Sequence, residues 1–573
     1  MLKRVKLLPF ATLLLFLFTI GTLPLSAWQN IVPPAPRRRV QPASVKINPP
    51  KLVVYIVIDQ FRAEFLNRFS NWFGPGGFRA LIKDGAYFTN ANYRHGATYT
   101  GPGHAVIASG AYGAQHGIVA NKWFNRATGK SEAMIYDGAH PFIGVSEVSS
   151  EDETSPANFI GTTIGDQLLL SNGFQSKVIA IAVKDRAAIN LGGRLGKAYW
   201  FNESKGEFLT STYYMKELPK WLQDFNARRL ADNYFGKSWE RLPDEGLYKS
   251  CHIDDYQFEM DPKGNGRAFP HKVTGKLEKP GADYYEAFEH TPWANDLTFE
   301  LARMAIEAEA LGTDNIPDLL AISLTANDLV GHAYGPYSQE VADITVRTDR
   351  QLGDFLAYLE KRVGASDLLV VLTADHGAGA VPEYMAQLQL AGGRIKKKKI
   401  KETIEVALNA RYGNANWVVA MEDPSIYLNY QAIDERKLSH TEVERAAGDA
   451  LLTIPGVAGY LTRTQFLAGS LPNTAIAAAY QRSFHPDRSG DVILILKPFY
   501  IWGKYAEKDE GATHGSPYSY DTHVPLIIRN SAISPGIYPA DTDIADLAPT
   551  IATILKINPP AACQGRPLVD ALR

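Results

Sequence analysis

Cysteine is scarce in this chain of 573 residues. Only Cys251 and Cys563 are present, and neither belongs to a CxxC pattern. A metal site built from thiolates is therefore not expected. Two isolated thiols neither require nor exclude a disulfide, so the pairing of Cys251 with Cys563 stays open at this point.

An excess of charge of either sign is also missing. The 59 Lys and Arg residues nearly balance the 61 Asp and Glu residues, which leaves a formal net charge of -2. No global charge draws the chain onto nucleic acid or an anionic membrane, so a bound anion must be held by local charge. The lysine run 396–399 is interpreted as a solvated surface rather than a nucleic-acid site. No nucleic-acid partner is expected.

The N-terminal segment has the order of an export signal. Basic residues precede an apolar run from Leu7 to Leu25, and Ser26-Ala27 offers a small-residue cleavage point. This order predicts a signal peptide over residues 1–27 and a periplasmic or secreted protein without stable membrane insertion after cleavage. A retained anchor is the alternative, whereas the absence of cysteine after the run excludes a bacterial lipoprotein. Residues 28–50 follow as a Pro- and Arg-rich linker, and residues 51–573 as the catalytic domain.

Short apolar segments alternate with helical patterns along this domain. Two stretches, Leu297–Ala310 and Val341–Leu359, have helical spacing. The alternation predicts an α/β fold with a mostly parallel central sheet flanked by helices, in which ligands gather at the carboxyl ends of the strands. Six segments rich in Val, Ile and Leu are predicted as buried strands: Leu52–Ile58, Lys177–Val183, Leu319–Leu324, Leu368–Thr373, Val492–Leu496 and Val524–Ile528.

Two long stretches interrupt the alternation. Residues from about 200 to 290 are rich in aromatic and charged residues, and residues from about 385 to 490 form the second interruption. Both are interpreted as insertions, and the first is expected to form a cap over the site. A chain of this length is expected to be one large catalytic domain with such insertions.

Oxygen and imidazole ligands occur in four separate clusters, mostly at strand ends. A lone Asp after a strand is often only a helix cap, but capping explains four such clusters poorly. Together they offer three ligands to each of two metals, with zinc favoured and other divalent metals possible. The six candidates are Asp59 in VVYIVIDQFR, Asp328 and His332 in NDLVGH, Asp375 and His376 in LLVVLTADHG, and His514 in GATHGSPYSYDTH.

A nucleophile is offered by the segment ATYTGPGHAVIASG. Thr100 precedes Gly101-Pro102 and a run of small residues that is compatible with a helix. At a helix N-terminus near a metal, its hydroxyl is favoured to ionise, and the glycines let a phosphate approach the backbone. A threonine N-cap is the structural alternative, and Thr98 competes on composition alone.

These motifs together resemble the alkaline phosphatase superfamily. The closest likeness is to its nucleotide pyrophosphatase/phosphodiesterase-like branch and to the phosphate-irrepressible alkaline phosphatases beside it. The likeness extends from about Lys51 to Leu568 and includes the closing segments DIADLAPTIATIL and GRPL. The resemblance implies that Thr100, rather than Thr98, is the nucleophile.

The resemblance also divides the ligands between the two metals. It implies that the metal binding the nucleophile takes Asp59, Asp375 and His376, while the second takes the three remaining ligands, Asp328, His332 and His514. His104 and His523 lie beside the motifs but match no ligand position, so they are interpreted as structural.

The resemblance further implies three residues that hold the phosphoryl group. Asn121 follows the HGIV turn in AQHGIVANKW, and Lys184 and Arg186 end the segment KVIAIAVKDR. Two cations favour a monoester dianion over a diester monoanion, although surface ion pairs are the structural alternative for both side chains. The predicted function is a phosphate monoesterase of broad range that acts through a phosphothreonine.

Two other functions are alternatives to this prediction. A phosphodiesterase of the same superfamily is the alternative, and a catalytically silent phosphate- or metal-binding surface protein is a remote one. Sulfatase activity is disfavoured because TGPGH lacks the arginine of the sulfatase element. The expected partners are small phosphorylated metabolites, and the expected state is a monomer.

Overall fold

The computed structural model describes residues 49–144 and 152–573. The predicted signal peptide and residues 28–48 of the predicted linker lie outside these ranges. No helix within the described ranges is long and apolar enough to cross a membrane.

Strands are distributed over the whole described part of the chain. In chain order they are β1 Leu52–Ile58, β2 Ala86–Phe88, β3 Ala91–Asn92, β4 Lys122–Asn125, β5 Lys130–Ala133, β6 Tyr136–Pro141, β7 Glu153–Thr154, β8 Val178–Ala182, β9 Lys197–Asn202, β10 Glu207–Leu209, β11 Ser238–Trp239, β12 His271–Lys272, β13 Asp318–Leu324, β14 Leu368–Thr373, β15 Gly393–Ile395, β16 Val418–Glu422, β17 Ser425–Leu428, β18 Val457–Thr462, β19 Val492–Leu496, β20 Tyr500–Trp502, β21 Leu526–Arg529, β22 Gly536–Tyr538 and β23 Thr542–Asp543.

Helices alternate with these strands. In chain order they are α1 Phe65–Arg68, α2 Phe78–Asp84, α3 Thr100–Ser109, α4 Gly113–His116, α5 Ile164–Ser171, α6 Asp185–Gly192, α7 Lys220–Ala227, α8 Ala282–Glu289, α9 Trp293–Ala308, α10 Ala326–Tyr334, α11 Gln339–Val363, α12 Pro382–Gln387, α13 Lys397–Tyr412, α14 Tyr430–Glu435, α15 His440–Leu451, α16 Arg463–Leu467, α17 Ala475–Ser483, α18 Lys504–Lys508, α19 Ser519–Thr522 and α20 Leu547–Leu555.

Nine strands form the central sheet in the order β10-β9-β8-β13-β1-β14-β21-β2-β22. The run from β9 to β14 is parallel throughout, as the alternation of strands and helices predicts. Every residue of β1 is buried, because helices cover both faces of a parallel sheet. Each such Val, Leu or Ile side chain contributes roughly 1.5–3 kcal/mol through burial. The α/β prediction is confirmed. Outside the parallel run, β10 pairs antiparallel with β9, and β21 pairs antiparallel with both β14 and β2.

Two of the predicted strands differ from expectation in placement. The segment Val492–Leu496 forms strand β19 with the predicted bounds, but it lies in a separate four-stranded sheet, β16-β17-β19-β18, and not in the central sheet. The segment Val524–Ile528 begins its strand at Leu526 and runs antiparallel to β14. Pro525 lacks an N–H group for the strand ladder, so a start after the proline is expected.

The predicted insertions differ in how far they stand apart from this sheet. Between β15 and β20, the second sheet and its helices enclose a core of their own that includes Trp417 and Trp502. The stretch after residue 200, by contrast, adds strand β10 to the edge of the central sheet. Both cysteines are free thiols, which answers the question left open by the sequence.

Candidate active site

Three neighbouring parallel strands bring the first ligands to one edge of the sheet. Strand β1 aligns Ile58 with Leu324 of β13, and Val57 with Thr373 of β14. Asp59 follows β1 directly, and its backbone N–H donates to the carbonyl of Leu324 at 3.2 Å. The carboxyl ends of the three strands therefore carry the polar residues into one small volume, as expected for open α/β sheets.

Helix α10 presents Asp328 and His332 on one face. The Asp328 Oδ1 atom lies 3.4 Å from His332 Nε2 and 3.6 Å from Nε2 of His514. The other ring nitrogen of each histidine is fixed by a carbonyl: His332 Nδ1 pairs with Ala512 at 2.7 Å and His514 Nδ1 with Thr98 at 2.6 Å. Both Nε2 atoms are thus free to bind a metal together with the carboxylate.

A second group surrounds His376. Its Nε2 atom lies 3.5 Å from Asp59 Oδ1 and 3.2 Å from Asp375 Oδ2. All three atoms are buried and have no hydrogen-bond partner in the described part of the chain, and such unsatisfied polar atoms are costly unless a ligand satisfies them. Asp328 lies close enough to bind with Asp59 and His376 as well, so it stands between the two groups. The six predicted ligands are brought together, and they fit a pair of cations.

The electrostatics of the site call for added positive charge. Burial, reinforced by the charges of Asp328 and Asp375, raises the pKa of Asp59 well above its ordinary value. Burial lowers the pKa of His332 and of His376 to about 3, so both rings are neutral and can donate a lone pair. Divalent cations would keep the carboxylates ionised, since opposite charge favours their charged form.

Thr100 is the first residue of helix α3 and is almost completely buried. The helix lies against the ligand loop, because a Cβ atom on Gly103 would meet the backbone oxygen of Asp375 at 2.2 Å. Only glycine permits this approach. The threonine hydroxyl therefore sits at the positive end of a buried helix, beside the ligand groups.

The predicted phosphoryl-holding residues surround this hydroxyl unequally. Lys184 Nζ lies 3.4 Å from Thr100 Oγ1 and 2.8 Å from Asp59 Oδ2, and it also pairs with Asp328. Burial opposes its charge, but Asp328 and Asp59 raise the pKa of Lys184 above its ordinary value. Asn121 reaches the same helix end, where its Oδ1 accepts the N–H of Gly101 at 2.7 Å.

Arg186 is held more loosely than Lys184. Its guanidinium lies 3.9 Å from the carboxylate of its neighbour Asp185, and its buried Nε finds no hydrogen-bond partner among the described residues. The side chain follows Lys184 by two positions, in the first turn of α6. The guanidinium is therefore available for an anion.

Several residues that support the ligands were missed by sequence reasoning. Gln60, with a left-handed φ of 64°, donates its side-chain amide to Asp328 at 2.8 Å and its backbone N–H to Asp375 at 3.1 Å. His104, interpreted as structural, contacts the Thr100 carbonyl at 2.8 Å and lies 3.2 Å from Asp375. Only the position of Gln60 next to Asp59, and of His104 one helical turn after Thr100, could have marked them.

Aromatic stacking closes one side of the site. The ring of Tyr505 lies 4.4 Å from that of His332 and nearly parallel to it, and the rings of His376 and His514 stack at 3.5 Å. Tyr505 lies in a region that carried no sequence prediction. His523, interpreted as structural from the sequence, contacts the carbonyl of Thr89 through its Nε2 at 3.0 Å.

Comparison with known proteins agrees with this geometry. The family model for type I phosphodiesterase / nucleotide pyrophosphatase matches residues 53–517. A protein of Myroides odoratus named calcium-transporting ATPase is 35% identical, over 92% of this chain and 96% of its own. Alkaline phosphatase PhoV of Synechococcus elongatus is 34% identical, over 91% and 93%.

The solved structures extend the likeness to three dimensions. The crystal structure of alkaline phosphatase PafA superposes with a TM-score of 0.84 at 32% identity, covering 92% of this chain and all of that one. A PafA variant with a threonine, an asparagine, a lysine and an arginine replaced gives a TM-score of 0.85. The chain therefore belongs to the type I phosphodiesterase/nucleotide pyrophosphatase family, within the alkaline phosphatase superfamily.

Proposed function

We propose that this phosphatase hydrolyses a broad range of phosphate monoesters through a phosphothreonine formed on Thr100. The observation that carries the proposal is the position of the Thr100 hydroxyl. Thr100 begins a buried helix, and its hydroxyl lies 3.4 Å from the Lys184 ammonium. Beside it lie two groups of carboxylates and imidazoles made by Asp59, Asp328, His332, His376 and His514, and Asp375 lies 3.2 Å from His376. Helix dipole and neighbouring cations both lower the cost of an alkoxide at this atom.

The solved variant of PafA supports the choice of residues. In that protein the replaced threonine and asparagine are 21 positions apart, and the replaced lysine and arginine are two apart. Thr100 and Asn121 have the first of these spacings here, and Lys184 and Arg186 have the second. The four side chains are accordingly proposed as nucleophile and phosphoryl-binding residues of this enzyme.

Six residues would hold two divalent cations. Asp59, Asp375 and His376 would bind one, while Asp328, His332 and His514 would bind the other. Zinc is the expected metal because the donors are carboxylates and imidazoles without thiolate. When bound, the cations would supply Lewis-acid stabilisation of the alkoxide and of the phosphoryl oxygens.

The side chains of the protein perform the two transfer steps on the phosphoryl group. The Thr100 hydroxyl gives its proton to solvent, and its oxygen forms a bond to phosphorus as the bond to the leaving alkoxide breaks. The leaving alkoxide takes a proton from water. Water then attacks phosphorus as the bond between phosphorus and the Thr100 oxygen breaks. The attacking water loses a proton to solvent, the Thr100 oxygen regains one, and inorganic phosphate is released. Lys184 and Asn121 stabilise the charge on the non-bridging oxygens throughout.

The pair of cationic side chains favours monoesters over diesters. A bound monoester dianion presents one more charged oxygen than a diester monoanion. Arg186 has a guanidinium that is not engaged by a close carboxylate, so it can bind that oxygen through two hydrogen bonds. A diester would instead bring a second ester group to the same place.

The nucleophile is tested by replacing Thr100 with Ala and, as a matched control, with Ser. The Ala variant should lose most turnover of p-nitrophenyl phosphate while it keeps its metal content and its melting temperature. The Ser variant should retain turnover and yield a phosphoprotein when it is quenched with acid. Turnover of the Ala variant equal to that of the wild type would overturn the assignment of Thr100.

The substrate class is tested on the wild type. Catalytic efficiency should be higher for p-nitrophenyl phosphate than for its bis-ester, and a chelator should abolish both activities. ATP belongs in the panel because of the name of the Myroides odoratus relative. A higher efficiency on the bis-ester would favour a phosphodiesterase, and no hydrolysis at all would favour a silent binding protein. We further propose that residues 1–27 direct export of the enzyme and that the enzyme is a monomer.

A further inference from the structure

The loop that carries His514 is tied down by a chain of hydrogen bonds that begins at a buried carboxylate. Asp521 is almost completely buried, and its Oδ2 accepts both the backbone N–H of Ser516 at 2.8 Å and the Ser516 hydroxyl at 2.6 Å. Burial raises the pKa of Asp521 to about 6. At neutral and alkaline pH the carboxylate is therefore ionised and acts as an acceptor.

The second link runs from Ser516 to the segment of the nucleophile. The Thr98 hydroxyl donates to the Ser516 carbonyl at 2.8 Å, and the Thr98 carbonyl accepts from His514 Nδ1 at 2.6 Å. The hydroxyl and the carbonyl of Thr98 are thereby both hydrogen-bonded, two residues before Thr100. The Thr98 hydroxyl, which was the competing candidate for the nucleophile on composition alone, therefore makes a structural hydrogen bond.

The backbone of the same loop leaves little freedom. Gly515 has a φ of 117°, in the region that favours glycine, and a Cβ atom there would meet the ring of Tyr99 at 2.5 Å. The backbone carbonyl of Asp521 also accepts the N–H of Gly377 at 2.7 Å, and the Gly377 carbonyl pairs with His376 Nδ1 at 2.9 Å. Through its backbone carbonyl, the buried residue Asp521 thus also connects the loop of His514 to the loop of His376.

We propose that Asp521 and Thr98 are positioning residues for the metal held by Asp328, His332 and His514. They fix the imidazole of His514 so that its Nε2 faces Asp328, at a separation of 3.6 Å. An orienting partner on the far ring nitrogen sets the tautomer and direction of a ligating histidine. This inference rests on the proposed two-metal function, because it assigns a role toward one of the two cations.

We call the chain of hydrogen bonds from Asp521 through Ser516 to Thr98 and His514 the relay. Its loss should affect the binding of one metal and not of the other. Removing either of its members should loosen His514 but leave Asp59, Asp375 and His376 in place. Loss of such an outer partner weakens metal affinity by roughly 10–100-fold. Of the two zinc-binding steps, only one should therefore weaken. A residue that merely stabilised the fold would weaken both steps together.

The test is a titration of metal-free full-length protein with zinc against a competing chelator. Thr98→Val removes the hydroxyl that donates to Ser516, and Thr98→Ser restores it. Asp521→Ala removes the carboxylate, whereas Asp521→Asn keeps an acceptor oxygen for Ser516. Asp166→Ala is the matched control, because Asp166 is a buried carboxylate that accepts two backbone N–H groups, from Thr163 and Leu195, away from the site.

The Val and Ala variants of the relay should each weaken one zinc step by roughly 10–100-fold, and the Ser and Asn variants should stay close to wild type. Asp166→Ala should lower the melting temperature of the metal-free protein without changing either step. Unchanged zinc steps in Thr98→Val would overturn the inference, as would equal weakening of both steps in the relay variants. If the wild type itself binds no pair of zinc ions or hydrolyses no phosphate ester, the proposed function fails instead.

Discussion

The close approach of helix α3 to the ligand loop makes Gly103→Ala the sharpest single test of the site. The added methyl would meet the Asp375 backbone oxygen at 2.2 Å, whereas ordinary contact begins at 3.4 Å. Since neither partner is the end of a flexible side chain, helix and loop must separate by about 1.2 Å, which interiors resist because they are close-packed. That displacement moves Thr100 away from its neighbours.

The expected effect on rate is larger than the effect on stability. A displacement of about 1 Å in a catalytic arrangement costs on the order of 100-fold, which corresponds to about 2.7 kcal/mol in the activation barrier. Overpacking costs about 1–3 kcal/mol of folding free energy, and the better helix propensity of Ala offsets up to about 1 kcal/mol. The variant should therefore fold but turn over slowly.

The assay compares kcat for p-nitrophenyl phosphate at saturating zinc with the melting temperature of the same preparation. Gly459→Ala is the matched control, because its methyl would have its nearest neighbour at 3.9 Å; it should leave both quantities unchanged. A folded, zinc-loaded Gly103→Ala enzyme with the kcat of the wild type would refute the reasoning, since the nucleophile would then tolerate the displacement.

Three further predictions follow from individual contacts. Arg186→Ala should lower catalytic efficiency on p-nitrophenyl phosphate at least tenfold more than on its bis-ester, because a charge-assisted bidentate contact is lost; equal losses would contradict the monoester assignment. Tyr505→Leu should weaken zinc binding several-fold, because the stack against His332 is lost, whereas unchanged zinc titrations would disprove this role. Burial and the charge of Glu340 raise the pKa of Glu259 to about 10. The folded state thus keeps a proton that the unfolded chain has released, and stability falls as pH rises toward 10. Between pH 7 and pH 9, the free energy of unfolding should fall by about 1–3 kcal/mol less in Glu259→Gln than in the wild type. Parallel curves of unfolding free energy against pH for the two proteins would show that Glu259 is ionised.

The middle strands β1, β8, β13 and β14 of the central sheet could be predicted from the sequence because each is a continuous buried run. The outer strands β2, β9, β10 and β22 carried no prediction. Strand β1 and strand β14 have the predicted bounds, and β13 differs by one residue. The sheet to which β19 belongs could not be predicted, since a buried apolar run does not specify its pairing partner. Pairing depends on residues far away in the chain, and β-propensity carries no such information.

The ligands of the site were more predictable than their supports. Asp328 and His332 are four apart, so the helix that holds them follows from local spacing. Gln60 and Tyr505 act through contacts with segments far away in the chain. Asp521 contacts Ser516 within the segment GATHGSPYSYDTH, but no spacing in that segment indicates the contact. Their roles emerge only when the strands and loops have come together.

The residues of the site are spread along the chain, from Asp59 near one end of the described residues to His514 near the other. A polypeptide that is still being made, or one that has been clipped before its last hundred residues, has only part of this constellation. Full occupancy of the proposed metal site would therefore come late in the life of the molecule. The metal content of a purified sample would then indicate how much of the sample is intact.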